Sequence, residues 1–403
     1  MKLFLPERTA SELADPTDAK NYLWSVRKSF PVYHKLAGFY NVEKFQQTKS
    51  HGITSVAYDK HWCLSTAVTL PDGCTTRILG VDYRSFLPAG ILDPNQNTQE
   101  ARYNAFGEVL VTSFHGTELG EKVGFHSLRN YLPPEDRSPA GAIADKIKAI
   151  GHYATATFSA PFSWMGKVPP AALASWLEWA RGEGFILPDG HLCSRARVHL
   201  EGLLEDPTAD EKLLQRYVND AHREPVHVLT LQADRYPGDP ELQIRAAIAC
   251  WDGFGRSLQT KQEVEPGLAW WVEENDQLTL DKYGRPKEAE AARRWRVSER
   301  VEYNNKGETV RIYRPYFANT YRYINDEAIR EAGYHDQQFY DAAGRPTHTV
   351  LAKKMLQGTP PEEKPLRREQ RYRIWYTIRF DENDLFDPPK PVEETRRVNR
   401  TLH

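Results

Sequence analysis

Cysteine is scarce. Cys63, Cys74, Cys193 and Cys250 are the four cysteines of a 403-residue chain, and no two are spaced as CxxC. A chain of this length has core enough to fold without disulfide staples, so the expectation is buried free thiols and no thiolate metal site. Long apolar runs are missing as well. Nowhere do eighteen apolar residues stand together, which excludes a spanning helix. The first residues reach Pro6, Glu7 and Arg8 before any apolar stretch of signal-peptide length, so no Sec signal peptide is expected. Charge of one sign is also lacking. With 53 Lys+Arg against 55 Asp+Glu the formal net charge is −2, which leaves no basic field to draw nucleic acid or an anionic membrane.

The common catalytic signatures are absent too: no GxGxxG, no GxxxxGK[ST], no HExxH and no GxSxG. Gly253 and Gly255 begin like a dinucleotide fingerprint but lack the third glycine.

What is present divides into blocks. Residues 1–30 resemble nothing that can be placed. Residues 31–137 carry short Val/Thr/Tyr/Phe runs, such as Gly52 to Leu70, broken by turn signals at Pro71-Asp72-Gly73 and Asp93-Pro94-Asn95. These predict strands of five to eight residues. Residues 138–224 change character and predict a helical insertion. Ser138 and Pro139 form a cap and first-turn proline ahead of a body that stops at Gly151. Leu173, Trp176, Leu177 and Ala180 share one helical face, and Thr208 with Glu211 forms a capping box. Residues 225–387 return to alternating strands, for example Thr309 to Tyr313 and Thr347 to Val350. The tail, residues 388–403, is proline-rich and charged and is expected to be disordered.

One pattern recurs: an aromatic, then Asp or Asn, two variable residues, then Gly. It stands at Tyr103-Asn104-Ala105-Phe106-Gly107, Trp251-Asp252-Gly253-Phe254-Gly255, Tyr303-Asn304-Asn305-Lys306-Gly307 and Tyr340-Asp341-Ala342-Ala343-Gly344, with a degenerate copy at Leu280-Asp281-Lys282-Tyr283-Gly284. Chance gives roughly 0.3 such matches in a chain of this composition. The spacing suits a tight reversal between antiparallel strands. The Asx side chain accepts bonds from turn amides, and glycine takes positive φ without a Cβ clash. Each unit then reads as one hairpin, and hairpins repeated along the chain stack into a sheet, because one alone cannot bury its apolar face.

These units resemble the RHS/YD repeat, and the match is closer still to the C-terminal part of the B component of bacterial Tc toxin complexes. It is carried by DPNQNTQEARYNAFG (Asp93 to Gly107), WMGKVP (Trp164 to Pro169), LPDGH (Leu187 to His191), QADRYPGDP (Gln232 to Pro240), ACWDGFGRSLQTKQEVEPG (Ala249 to Gly267), RVEYNNKGETVRIYRPYF (Arg300 to Phe317), FYDAAGRPTHTV (Phe339 to Val350) and WYTIRFDEND (Trp375 to Asp384), in family order. The resemblance implies a mainly β fold, a curled, shell-like sheet of antiparallel hairpins with an α-helical insertion. It implies a container without enzymatic activity, which shields a toxic polypeptide cargo together with a C-type RHS component. Family members dock on an A component through an N-terminal propeller that this sequence does not represent. Such a protein is made in the cytoplasm and released as part of the toxin complex.

Other chemistry is weighed beside that reading. His191, Cys193 and His199 are the most metal-like group but lack a further soft ligand. His61 and Cys63 could share one side of a strand, without a third member for nucleophilic catalysis. Asp381, Glu382 and Asp384 read as solvated surface acids. Trp270 and Trp271, with the run Tyr313, Tyr316, Phe317, Tyr321 and Tyr323, could stack ligands, although core packing suits a wide sheet better. The expectation is therefore no catalytic residue, no cofactor and no metal. The rivals are a glycan- or surface-binding YD module using Trp270 and Trp271, and a hydrolase around Cys63 or His191.

Overall fold

A computed structural model describes residues 29–352, 366–385 and 399–402, apart from 49, 170, 171, 173, 205, 274, 275 and 333. The unplaced segment 1–30 lies almost wholly outside the described residues, as do Leu173 and most of the tail. The chain forms two compact units. The first holds the residues up to Leu132 together with His152–Thr155 and Arg235–Leu242, and the second holds the remainder.

The first unit is an antiparallel meander of β1 (Phe30–Tyr33), β2 (Val42–Gln46), β3 (Thr54–Tyr58), β4 (Ser65–Thr69), β5 (Thr75–Asp82), β6 (Leu87–Leu92), β7 (Thr98–Tyr103), β8 (Val109–Glu118) and β9 (Glu121–Gly124). Each strand pairs with the next in sequence. Along β8 every second residue turns inward, with Val111 and Ser113 buried. This is the period-2 pattern of a sheet with one covered face.

In the second unit the block expected to be helical proves mixed. It holds α1 (Pro139–Ala144) and α2 (Lys146–Ile150), a strand β10 (Thr155–Ala160), then α3 (Ala174–Gly182), α4 (Ser194–Glu201) and α5 (Ala209–Asp220). The predicted caps are in place. Ser138 Oγ accepts from the Gly141 amide at 3.0 Å, and Thr208 and Glu211 close a reciprocal capping box. The single predicted helix after Ser138 is broken at Asp145, whose side chain caps α2 through the Lys148 amide at 3.0 Å. The helices serve two bodies. Ala142, Ile143 and Ile150 pack on the sheet residues Leu229, Leu231, Ala246, Ile248 and Trp295, while α3 to α5 close their own core around Trp176, Ala180, Phe185 and Leu214.

The sheet of this unit contains β11 (Val226–Ala233), β12 (Ile244–Trp251), β13 (Ser257–Val264), β14 (Gly267–Trp270), β15 (Glu288–Ala291), β16 (Arg294–Tyr303), β17 (Thr309–Tyr313), β18 (Tyr316–Ala318), α6 (Glu327–Ala332), β19 (His335–Tyr340), β20 (Pro346–Val350), β21 (Arg367–Tyr372), β22 (Tyr376–Phe380) and β23 (Asn399–Leu402). One continuous antiparallel ladder runs β11-β12-β13-β16-β17-β19-β20-β21-β22-β23. The last of these strands lies in the stretch expected to be disordered. β14 and β18 branch from the ladder beside β16 and meet in parallel at Trp270 and Ala318. The result is a mainly β, antiparallel architecture with a few helices and an open sheet, as the repeats implied.

Candidate functional site

The repeat corners share one geometry. In each, the Asx amide donates to the carbonyl four residues on, and the glycine amide donates back to the Asx carbonyl. For Asn304 these bonds are both 2.9 Å, to Glu308 and from Gly307, and for Asp341 both 3.0 Å, to Arg345 and from Gly344. Asn104, Asp252 and Asp281 repeat the pair. The Asx Oδ1 then takes two more amides, Lys306 and Glu308 on Asn304 at 2.9 and 3.0 Å, and Ala343 and Arg345 on Asp341 at 2.9 and 3.0 Å. Gly107, Gly255, Gly284, Gly307 and Gly344 all have φ between 75° and 83°. This is a three-residue loop whose left-handed last position matches the twist of the flanking strands.

The residue after glycine selects the Asx type. Where it is Arg the corner residue is Asp: Arg256 Nε donates to Asp252 at 2.6 Å and Arg345 Nε to Asp341 at 2.8 Å. Where it is Glu the corner residue is Asn, whose amide donates to Glu108 at 2.6 Å and to Glu308 at 2.7 Å. Hydrogen bonds from the Arg345 amide and then its guanidinium hold the Asp341 carboxyl below the ordinary carboxylate range.

Neighbouring hairpins are stitched through the aromatic position. Tyr303 donates its hydroxyl to the Ser257 carbonyl at 2.9 Å, Tyr340 to Thr309 at 2.7 Å and Tyr372 to Pro346 at 3.0 Å. Each acceptor lies two residues after the glycine of the preceding corner, Gly255, Gly307 and Gly344 in turn. The residue after that glycine completes the joint. Arg256 stacks over Tyr303 at 4.5 Å and Arg345 over Tyr372 at 4.6 Å, while a Cβ on Gly307 would meet Arg256 Nη1 and one on Gly344 would meet Glu308 Oε1.

The first unit repeats this stitch without the glycine letter. Tyr58 donates to Val42 at 3.0 Å and Tyr103 to Pro88 at 2.8 Å. These acceptors follow by two residues Tyr40 and Phe86, which hold φ of 56° at the left-handed position. Gln96 at φ 67° closes the Asp93 corner in the same way. Sequence reading missed the Asp59 corner and read Asp93 only as a turn, because it required glycine. The signal that finds Asp59 is Tyr58-Asp59 at a strand end.

Behind the corners lies a buried polar row. Gln259, Lys261 and Arg300 are 0%, 0% and 2% exposed on neighbouring strands β13 and β16. They bind the segment after Tyr316, which crosses this face largely without ladder partners. Lys261 Nζ donates to the carbonyls of Thr320 at 3.1 Å and Arg322 at 2.5 Å, Arg300 Nη1 donates to Ile324 at 2.5 Å, and Gln259 Oε1 accepts from the Ile324 amide at 3.4 Å. Buried backbone polar groups demand such partners. Burial pulls the Lys261 ammonium down to about 7. Next along, Glu302 gathers Arg311 at 2.8 Å, Tyr313 at 2.8 Å and Arg330 at 3.1 Å. Burial pushes its carboxyl up, but these bonds outweigh burial and hold it at about 2.

The other candidates fall apart as sites. His61 and Cys63 lie in the reversal after β3 rather than on a strand, because Asp59 Oδ1 draws the Cys63 and Leu64 amides into a loop. Cys63 Sγ faces the His61 carbonyl at 3.4 Å. Cys63 and Cys74 are exposed rather than buried, because both sit in loops that close hairpins; Cys250 is buried, and burial pushes its thiol up to about 12. His191 and His199 do not share a ligand. His191 pairs with Asp189 at 2.9 Å and His199 with Glu211 at 2.7 Å, while Cys193 stands at the start of α4. Asp384, expected at the surface, is 5% exposed because it caps the turn through the Asp381 amide, and Glu382 pairs with Arg368. Trp270 and Trp271 are partly buried, and Trp270 gives one face to Tyr316 at 4.5 Å. Tyr313 and Tyr316 are buried in the core. Among the described residues one group that could hold a metal ion does form, His222 with Glu224 and Asp276. No sequence motif marked it, because Asp276 lies about fifty residues from the other two.

Solved structures of Tc toxin complexes share this fold. The crystal structure of TcdB2-TccC3-Cdc42 matches at TM-score 0.76 and 29% identity over 90% of this chain and 16% of that one. TcdB2-TccC3 without its hypervariable C-terminal region matches at 0.74 and 29% identity, over 89% and 16%. The Photorhabdus luminescens Tc holotoxin pore matches at 0.71 and 29% identity, over 89% and 16%. The chain thus spans 16% of the length of these neighbours. They agree with an RHS-repeat part of B-component type. No protein-family model and no curated protein matches the chain. Among the described residues no helix is long and apolar enough to cross a membrane.

Proposed function

We propose that this chain forms a stretch of wall in a Tc-type toxin shell and acts by enclosing a polypeptide, without catalysis. The observation that carries the reading is the unbroken ladder from β11 to β23, in which the hairpins that turn at Asp252, Asn304 and Asp341 and the β21–β22 hairpin are joined in series by Tyr303, Tyr340 and Tyr372. Stability built from nearest-neighbour joints lets such a sheet extend by any number of hairpins. A wall of this kind works sterically. It denies an enclosed chain the room to collapse and keeps proteases out.

The partner is a C-type RHS component that carries the cargo, a pairing supported by neighbours in which TcdB2 occurs with TccC3. Further wall must close the shell. Docking to an A component belongs to the propeller of such proteins, not to the residues described here. The protein is made in the cytoplasm and leaves the cell as part of the toxin. Co-expression with a C-type component should give a complex that co-elutes on size exclusion and in which trypsin digests the cargo far more slowly than in the C component alone. Equal digestion with and without this chain overturns the proposal.

A further inference from the structure

Between α5 and β11 the chain carries His222 and Glu224 two residues apart. Facing them is the reversal after Trp271, in which the Glu273 amide donates to Gln277 and the Asp276 amide donates to Glu273. This is the repeat corner again, with Asp276 at φ 64° where the aromatic-Asx-Gly corners hold glycine. An aspartate in that left-handed position brings a carboxylate where those corners have no side chain.

One ligand atom from each of His222, Glu224 and Asp276 lies within 4.8 Å of the others. His222 Nε2 meets Asp276 Oδ2 at 2.5 Å, and Arg322 Nε lies 2.9 Å from Asp276 Oδ1. The aspartate therefore has one oxygen turned to the histidine, while Oδ1 is buried within ion-pair range of the guanidinium but accepts no hydrogen bond. Glu224 Oε1 is fully buried and has no hydrogen-bond partner. A buried carboxylate oxygen without a donor is an unmet demand for a cation or a proton. The group lies in an open hollow of about 490 Å³ that Tyr323 and Asn325 also line.

We propose that His222, Glu224 and Asp276 bind a divalent transition-metal ion of the Zn²⁺ class, which fastens the exit of the helical insertion to the corner at Asp276. One imidazole and two carboxylates are a borderline N/O donor set with a position left for water. Metal–ligand bonds of about 2.0–2.2 Å put donors roughly 3.3 Å apart in a tetrahedron, so the His222–Asp276 pair opens by about an ångström and Glu224 closes on it by up to about 1.5 Å. Arg322 stays within ion-pair range of the other Asp276 oxygen. The same guanidinium offsets part of the acid charge, which points to a moderate rather than a very tight site.

The test uses the full chain without an affinity tag, stripped with chelator and titrated with Zn²⁺ and separately with Mg²⁺ by calorimetry. One Zn²⁺ per chain is expected, with Mg²⁺ much weaker, and a higher unfolding temperature in Zn²⁺. Glu224→Gln keeps size and shape, and His222→Ala changes an exposed side chain. Each should weaken Zn²⁺ binding at least about tenfold and abolish the thermal shift, while circular dichroism of the metal-free proteins stays unchanged. No binding below millimolar Zn²⁺, or binding that both variants retain, overturns the proposal.

Discussion

Replacing Asn304 by Asp leaves the backbone acceptor of its corner in place and breaks only the side-chain pairing. Oδ1 would still take the Lys306 and Glu308 amides, as Asp252 and Asp341 do for their own corners. The other oxygen would stand against Glu308 Oε2, where the amide now donates at 2.7 Å. Losing that charge-assisted bond costs about 1–2 kcal/mol, and repulsion between two partly solvated carboxylates adds on the order of 1 kcal/mol. Glu308→Arg alone loses the same bond and sets a guanidinium against an amide donor, again about 1–2 kcal/mol. Together the two changes recreate the Asp–Arg corner of Asp252 and Arg256, with a guanidinium placed over Tyr340 as Arg256 is over Tyr303. The double variant should therefore fall within about 0.5 kcal/mol of the parent, a favourable coupling of roughly 3–4 kcal/mol. Urea unfolding of the four proteins at low and high salt measures it, and the N304D cost should shrink with salt. Simple additivity of the two costs would refute the idea that Asx type and following charge are matched.

Tyr303→Phe and Tyr340→Phe each remove one stitch to the preceding hairpin and should lower stability by about 1 kcal/mol in urea unfolding, whereas removing the exposed Phe254 at a corner tip should change little. Gly255→Ala meets open space and incurs only the left-handed backbone penalty of about 1 kcal/mol. Gly344→Ala also drives a methyl against Glu308, so it should cost more, and Glu308→Ala should recover the excess; equal costs for the two glycines would contradict the packing described. Lys261 titrates near 7 when folded against about 10.4 unfolded, so the unfolded chain binds the extra proton between those values and stability should rise with pH across that window. Lys261→Met should flatten the rise, which thermal unfolding at pH 7, 8 and 9 will show. For Glu302, held at about 2, stability likewise rises with pH, here because a favourable contribution is full above about 4.5 and is lost as pH falls toward 2, so Glu302→Gln should flatten the acid limb.

The hairpins were legible because their information is local. Thr309–Tyr313 is a strand with the bounds that its alternation predicts, and four aromatic-Asx-Gly units are four corners of one geometry. The capping box at Thr208 was legible for the same reason. What sequence could not give was set across distance. β10 sits inside a block with helical composition, and its Ala156 and Phe158 turn inward only because Leu229 and Ile248 cover them. Lys261 reads as one more surface charge on an alternating strand, and its burial depends on carbonyls about sixty residues away. The His222–Glu224–Asp276 group has the same character.

The repeat is better defined by its joint than by its letters. At Gly307 and Gly344 the neighbouring hairpin lays Arg256 or Glu308 across the left-handed position, whereas Gly255 and Gly284 meet open space. Trp62, Phe86 and Gln96 fill it in the first unit, at φ 56° to 67°, so the backbone requirement alone does not demand glycine. The aromatic hydroxyl that bonds two residues past the previous left-handed position is common to the five joints at Tyr58, Tyr103, Tyr303, Tyr340 and Tyr372. Such a joint fixes the register of each hairpin against the one before it, and a register error of one residue would turn every inward side chain outward. A wall must hold one continuous face over many strands. The tyrosine is therefore the residue whose loss should propagate beyond its own corner, and the glycine the one whose loss should stay local.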